Sequence, residues 1–144
     1  MEPSKESLAL IDLISETHAK MRRIAEDRWV QEGNEEVSHS EMHLLAKSRY
    51  QNLSIAEASR ILGISRQAAH KTSLKLRERG YLDLKNPAGN RRDKHIVLTA
   101  KGRGFCKRYD RIKRAVEDCI RQRIGDENVQ TLRSLLEDLH GAQV

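Results

Sequence analysis

Residues 63–80 read GISRQAAHKTSLKLRERG, and this stretch has the features of a turn followed by a helix. Gly63 supplies the left-handed or open backbone that a tight turn between two helices requires. Ser65 is a favourable N-cap residue and Gly80 a favourable C-terminal stop, so the residues between them predict one helix. The layout is that of the second half of a helix-turn-helix.

The residues before Gly63 predict the first helix of the pair. Ser54 and Glu57 have the spacing of a capping box, which marks the start of a helix. The apolar side chains that follow this start are Ile55, Ala56, Ala58, Ile61 and Leu62. A short helix is therefore expected between Ser54 and Gly63.

The helix after Ser65 presents donors on its outer face. Ala69 is small enough to face the preceding helix. Gln67, His70, Lys71 and Lys75 fall on the opposite face, and Arg66 lies at the helix start. Such side chains reach phosphates and base edges, and the free amides at the Ser65 end can also meet a phosphate.

After Gly80 the apolar period changes from 3.6 to 2, which predicts a β-hairpin. Leu82 and Leu84 alternate with polar residues in the first strand, and Ile96 and Leu98 alternate in the second. Between them lies a turn-rich tip followed by the cations Arg91, Arg92 and Lys94, which can enter a minor groove. A helix-turn-helix followed by a basic hairpin is a winged helix.

Long amphipathic helices are predicted on both sides of this segment. Residues 5–31 carry Leu10, Ile14, Met21 and Ile24 at helical spacing, and a helix of this length needs a second subunit to cover part of its face. Ser38 or Ser40 can cap a second helix. The apolar residues expected on that helix are Met42, Leu44, Leu45 and Tyr50.

Two further helices are predicted towards the C-terminus. Thr99 can cap a second long helix that Gly125 ends, and a last helix follows. Their apolar stripes, at 105–124 and 129–139, are interpreted as dimer core. The fold class is therefore mostly α, with about six helices and a two- to three-stranded β-wing.

The basic charge is concentrated in the middle of the chain. Residues 60–123 hold 19 basic and 6 acidic residues, a net charge of +13, whereas residues 1–59 carry −4 and residues 124–144 carry −3. A segregated basic block is the electrostatic footprint of a protein that binds a phosphate backbone. The charge pattern and the helix-turn-helix thus both indicate a nucleic acid as the partner.

Several classes of protein do not fit the sequence. The longest apolar run is Leu8–Ile11, far short of a membrane span, and the first residues lack the pattern of a signal peptide. We therefore expect a cytoplasmic protein that does not contact a membrane. We expect no enzyme and no cofactor, because the chain has no Gly-rich phosphate loop, nucleophile elbow or Glu/His metal motif.

The sequence resembles the MarR family of bacterial transcription regulators. Residues 63–80 look like the recognition helix of that family, and NRRDKHIVLTAKG, residues 90–102, looks like its wing segment. Leu53-Ser54 with Glu57-Ala58 fits its helix before the turn. The resemblance covers essentially the whole chain. It implies a single domain over 1–144, with a winged-helix lobe at 36–100 and a helical dimerisation lobe from 5–33 and 100–141.

The resemblance also implies a function and a set of contacts. The expected function is that of a homodimeric, ligand-responsive repressor that binds a near-palindromic duplex operator and responds to a small-molecule effector. Arg92 would be the minor-groove arginine of the wing. The expected DNA-binding residues are Ser54, Ser65, Arg66, Gln67, His70, Lys71, Lys75, Asn90, Arg91, Arg92 and Lys94.

The chain departs from the family pattern in two places. Family members usually carry Asp where this chain has Asn90, and a neutral amide gives the wing arginine no charge assistance. Thr72 and Ser73 stand where leucines are usual, and Leu74 stands at a usually polar position. The sequence offers no compensating feature for these substitutions.

Two other functions fit the same sequence. A DNA-architectural protein of this fold would bind duplexes with little sequence preference, as the +13 block allows. A winged helix that binds only other proteins would not bind duplexes at physiological salt.

The histidines and cysteines have alternative interpretations. His39 and His43 have a spacing that can bind a metal, but no further ligand is assignable, which favours structural or solvent-facing roles. Cys106 and Cys119 point about 140° apart on one helix, so they cannot bond to each other. Packed thiols are favoured, and a redox bond between subunits is the alternative.

Overall fold

The computed structural model describes residues 8–89 and 92–143, and Asn90 and Arg91, both expected at the wing, lie outside them. In the described parts the chain forms six helices and one two-stranded antiparallel sheet. The predicted mostly α winged-helix class is confirmed. The elements in chain order are α1 (Leu10–Gln31), α2 (His39–Lys47), α3 (Ile55–Leu62), α4 (Arg66–Glu78), β1 (Leu82–Lys85), β2 (His95–Leu98), α5 (Ala100–Ile124) and α6 (Asp126–Gly141).

Local capping signals place most of the helix starts. The Ser38 hydroxyl accepts the N–H of Glu41 at the start of α2, and Ser54 and Glu57 form the complete capping box at the start of α3. Gly63 follows α3 with φ 67° and ψ 32°, the left-handed conformation that the turn requires. The Thr99 hydroxyl accepts the N–H of Gly102 at the start of α5. These predicted helix boundaries are confirmed.

The wing is a hairpin joined to the start of α3. In the hairpin Leu82 pairs with Leu98 and Leu84 pairs with Ile96. Ser54 forms an isolated antiparallel bridge with His95. On either side of that bridge, Ile96 N–H donates to the Leu53 carbonyl at 2.7 Å and Ile55 N–H donates to the Lys94 carbonyl at 3.1 Å. The segment before α3 therefore serves as a short third strand.

The chain divides into two compact units. The winged unit runs from Glu35 to Asp110 and includes the first part of α5. On α4 its core receives Ala69, Ser73 and Leu76, none of which is exposed to solvent. The Ser73 hydroxyl donates to the Ala69 carbonyl at 2.8 Å, so this buried serine is satisfied within its own helix. That bond explains how a serine can occupy a buried position where leucine is usual in the family that the sequence resembles.

The helical unit contains the chain up to Asn34 and the chain from Arg111 onward. Its buried apolar residues are Ala25, Trp29, Ile112, Val116 and Val129. Many other apolar side chains on α1 and α6 remain exposed in the single chain. They include Leu10, Ile11, Leu13, Ile14 and Ile24 on α1, and Leu132, Leu135, Leu136 and Leu139 on α6.

Three structural predictions are wrong. The first helix begins at Leu10, and residues 5–7 of the predicted range lie outside the described chain. Tyr50 is not on α2, because that helix ends at Lys47 and the chain turns, which leaves Tyr50 83% exposed. Phe105 and Tyr109 are buried within the winged unit, so the first part of the 105–124 stripe is not dimer core. Helical spacing identifies an apolar face, but it does not say which partner covers that face.

Across the residues described, every helix is too short or too polar to cross a membrane.

Candidate nucleic-acid interface

The starts of α3 and α4 and the end of the wing loop surround one open groove of about 470 Å³. It is lined by Ile55, Ala56, Arg66, Gln67, His70, Arg92, Asp93 and Lys94. Five of these residues are expected DNA contacts, and they come from two segments separated by more than 20 residues. The fold therefore brings the start of α4 and the end of the wing loop to a common surface.

Helix α4 presents its N-terminal turn to this groove. The Ser65 hydroxyl accepts the Ala68 N–H at 3.0 Å and so fixes the start of the helix. No acidic residue lies in the first turn. The positive end of the helix dipole therefore adds to the charge of the exposed Arg66 side chain.

One helical turn further on, the donors spread over two sides of α4. His70, four residues after Arg66, is partly buried and lines the groove. Lys71 and Lys75 are exposed on the same helix but do not line it. The groove residues thus lie nearest the helix start, and the two lysines extend the basic surface along α4.

The wing side of the groove is held by main-chain bonds to α3. Arg92 and Lys94 are exposed, and Asp93 lies between them. The Lys94 carbonyl accepts the Ile55 N–H, and the next residue, His95, has its Nδ1 3.1 Å from the Asn52 carbonyl oxygen. The chain is therefore anchored directly after the wing cations.

Ser54, like Ser65, has a structural role as a helix N-cap. It is buried, and its hydroxyl accepts the Glu57 N–H at 3.1 Å, while Glu57 Oε1 accepts the Ser54 N–H at 3.3 Å. The hydrogen bonds from Ser54 lower the pKa of the Glu57 carboxyl. Ser54 thus positions α3 beside the groove, and a direct contact with DNA stays a prediction.

Three groove residues were not expected from the sequence. Ile55 and Ala56 are the first two residues of α3, directly after the predicted N-cap, and Asp93 lies within the basic wing run. The N-cap signal marks where α3 begins. The bridge between Ser54 and His95 and the hydrogen bond from Ile55 to Lys94, however, are what show that this helix start faces the wing.

The far end of α4 is held by a charged cluster within the winged unit. Arg79, the C-cap residue, donates to Glu41 Oε2 at 2.8 Å and to the Glu36 carbonyl at 2.6 Å. Lys101 donates to the Arg79 carbonyl at 2.7 Å and lies 3.4 Å from Glu35 Oε2. We name Glu35, Glu41, Arg79, Tyr81 and Lys101 the C-cap cluster.

Tyr81 forms the buried part of the C-cap cluster. Its side chain is 1% exposed, its hydroxyl donates to the Glu35 carboxylate, and Lys101 Nζ lies 4.5 Å from its ring centroid. Burial, and then the hydrogen bond to Glu35, raise the pKa of Tyr81 to about 12. The same hydrogen bond is the main cause that lowers the pKa of Glu35.

The histidine and cysteine candidates are not among the residues that line the groove. The rings of His39 and His43 stack with centroids 5.9 Å apart, and no group of three metal-binding side chains occurs among residues 8–89 and 92–143. Cys106 and Cys119 form no disulfide with each other. Cys106 is buried, and Cys119 is partly buried with Arg28 Nη2 3.7 Å from its sulfur atom.

Comparison with solved structures gives matches over nearly the whole chain. A transcriptional regulator named PA4135 matches with a TM-score of 0.79 and 16% identity, over 96% of this chain and 100% of the other. Wild-type MarR from E. coli in its apo form matches with a TM-score of 0.79 and 17% identity, over 93% and 98%. Rv2887, a Mycobacterium tuberculosis MarR family protein in complex with salicylic acid, matches with 0.73 and 23%, over 93% and 98%.

The comparisons by sequence give no match, either to a family model or to a curated protein. The structural matches cover most of both chains with high TM-scores, and they include proteins named as MarR or as members of its family. At 16–23% identity they establish the fold and nothing finer. The chain therefore has the fold of the MarR-family regulators.

Proposed function

We propose that this protein is a MarR-family transcription regulator that binds duplex DNA in a sequence-specific manner. The observation that carries the proposal is the groove in which Arg66, Gln67 and His70 of α4 face Arg92 and Lys94 of the wing. In this arrangement α4 enters the major groove and the wing reaches the neighbouring minor groove.

The roles of the side chains follow from their chemistry and position. Arg66 and Gln67, at the start of α4, are suited to base edges, because both offer bidentate hydrogen bonding. Lys71 and Lys75 contact phosphates, which receive half to two-thirds of the hydrogen bonds in protein–DNA interfaces. Arg91 and Arg92 bind the minor groove, whose negative potential attracts arginine.

A homodimer is supported by the apolar side chains that the single chain leaves exposed on α1 and α6. Leu10 is 67% exposed, Ile11 76% and Leu135 56%. A soluble chain rarely leaves a large apolar surface uncovered, and a second copy of this chain would cover it. Two winged units then read two halves of a near-palindromic operator, with recognition helices about 34–36 Å apart.

The proposed regulation is repression that a small molecule relieves. The support is the salicylic acid complex of Rv2887, which has the same fold. A ligand that binds better to a dimer with a different helix spacing shifts the population away from the DNA-binding form. Salicylate is therefore the first effector to test.

The test is selection of bound sequences from a random duplex pool at physiological salt. An enriched inverted repeat with half-sites about one helical turn apart supports the proposal. Binding without enrichment would instead identify a DNA-architectural protein, and its salt dependence would be steep. Absence of binding at all would contradict DNA recognition and favour a protein-binding winged helix. Sedimentation analysis supplies the subunit count, since one chain has a mass of 16.5 kDa.

A further inference from the structure

The end of the recognition helix α4 is attached to the segment at which the chain enters the winged unit. Glu35 and Glu36 are the first residues of that unit. The Glu36 carbonyl accepts a hydrogen bond from Arg79, and Glu35 Oε2 lies 3.7 Å from Arg79 Nη2. These contacts join residues more than 40 positions apart in sequence, at the end of α4 opposite the groove.

Glu35 is bound to more than one element of the unit. Its carboxylate accepts the Tyr81 hydroxyl, and the ammonium group of Lys101 in the first turn of α5 lies 3.4 Å away. Tyr81 is rigidly held, because its carbonyl accepts the Thr99 N–H at 3.1 Å and its ring packs against Phe105. The carboxylate therefore ties α4 to the root of the wing.

We propose that Glu35 is a positioning residue for DNA recognition, which holds the recognition helix at the angle required for base contacts without touching DNA itself. The inference rests on the proposed function. An acidic residue is otherwise unfavourable in a DNA-binding unit, because it repels phosphates. A positioning role accounts for the presence of the Glu35 carboxylate beside Arg79 and Lys101.

The proposal predicts that removing the Glu35 charge lowers the affinity for DNA, whereas the loss of a negative charge alone would raise it. Replacing Glu35 by Gln removes one negative charge, and by charge alone this strengthens DNA binding. If Glu35 positions α4, the same substitution weakens binding to the selected operator. Because the Glu35 side chain is 51% exposed and such ion pairs contribute little to stability, the variant still folds.

The experiment compares Glu35→Gln, Tyr81→Phe and Asp110→Asn. Asp110 is the matched control, because it pairs with Arg49 in the same unit and its substitution removes the same charge. We expect Glu35→Gln and Tyr81→Phe to weaken binding to the selected duplex about fivefold, the change that loss of a positioned contact produces. Binding of a random duplex should not weaken. Unchanged or tighter operator binding by Glu35→Gln, as by Asp110→Asn, would overturn the proposal.

A second measurement, which does not need DNA, tests whether Glu35 holds the end of α4. It therefore separates a failure of this inference from a failure of the proposed function. The amides of Arg79, Gly80 and Tyr81 donate to carbonyls of the last turns of α4, so their hydrogen exchange reports on that end of the helix. In Glu35→Gln these amides should exchange at least about threefold faster, and in Asp110→Asn at the wild-type rate. Equal exchange in both variants rejects the positioning role.

Discussion

The backbone N–H of Ile55 donates a hydrogen bond to the carbonyl oxygen of Lys94 at 3.1 Å. This bond joins the first residue of α3 to the last cation of the wing. Main-chain bonds of this kind hold position without depending on side-chain identity. The two sides of the groove are therefore held together by backbone, and the side chains that line it are left for recognition.

The cap at Ser54 is expected to affect both stability and DNA binding. Ser54→Ala removes the acceptor for the Glu57 N–H and should lower the free energy of unfolding by about 1 kcal/mol. It should also weaken DNA binding, because loss of the cap loosens the first turn of α3, to which the wing is hydrogen-bonded through the main chain. Urea denaturation and operator titration measure the two effects.

The control for this variant is Ser38→Ala, which removes the equivalent cap of α2. It should destabilise the protein by a similar amount, about 1 kcal/mol, and leave operator affinity unchanged below the unfolding range. Equal losses of affinity in both variants would show that stability alone, and not the wing bridge, accounts for the effect.

Arg92 should contribute a phosphate or minor-groove contact. Arg92→Ala is expected to weaken operator binding about tenfold and to reduce the slope of log affinity against log salt by about 1. The matched control is Arg123→Ala, which removes the same charge from an exposed position at the end of α5. Indistinguishable affinities and slopes for the two variants would remove Arg92 from the interface.

Gly102 should tolerate no side chain. A Cβ at this position would lie 2.1 Å from the Tyr81 carbonyl oxygen, and backbone cannot move aside cheaply. Gly102→Ala is therefore expected to lower the free energy of unfolding by about 2 kcal/mol or more.

Gly104, two residues further along α5, provides the contrast. There the nearest atom to an added Cβ is the end of the Arg108 side chain at 3.5 Å, an ordinary contact. Gly104→Ala should stabilise the protein by up to about 1 kcal/mol, because alanine favours helix. A stability loss as large as that of Gly102→Ala would contradict the close approach as the cause.

Tyr81 should make stability depend on alkaline pH. Its pKa is raised from 10.0 to about 12, so the folded protein retains the phenolic proton where the unfolded chain loses it. The stabilisation is complete below pH 10 and is lost as the pH rises through about 12. Urea unfolding between pH 9 and pH 11 should show this decline in the wild type and not in Tyr81→Phe. Tyr50→Phe, which changes an exposed tyrosine, should retain it.

The features that the sequence predicts correctly are those encoded within a few residues. The Ser54 capping box and the left-handed Gly63 depend only on local backbone geometry. The period of two likewise predicts the two strands of the hairpin, which the structure places at Leu82–Lys85 and His95–Leu98. Each of these local signals indicates one kind of element, a helix start, a turn or a strand. The order of helices and strands in the winged helix could therefore be predicted from the sequence.

The features that escaped prediction depend on partners far along the chain. Phe105 shares an apolar stripe with Val116, but its ring packs against Tyr81, which lies in the connection between α4 and β1. The C-cap cluster joins Glu35 to Tyr81 across 46 positions, and no periodicity links them. The sequence offered no compensation for Ser73 at a position where the resembled family usually has leucine, because spacing does not reveal that its hydroxyl bonds within its own helix.

The bridge between Ser54 and His95 sets a rule for recombining this protein with its structural relatives. Residues 53–55 form the short third strand of the wing, and the last of them, Ile55, is also the first residue of α3. A chimera that crosses over between Ile55 and Lys94 would draw the two halves of each hydrogen bond from different parents. Because the C-cap cluster also joins Glu35 and Lys101 to this range, residues 35–110 should be exchanged as one cassette, with new specificity introduced only on the outer face of α4.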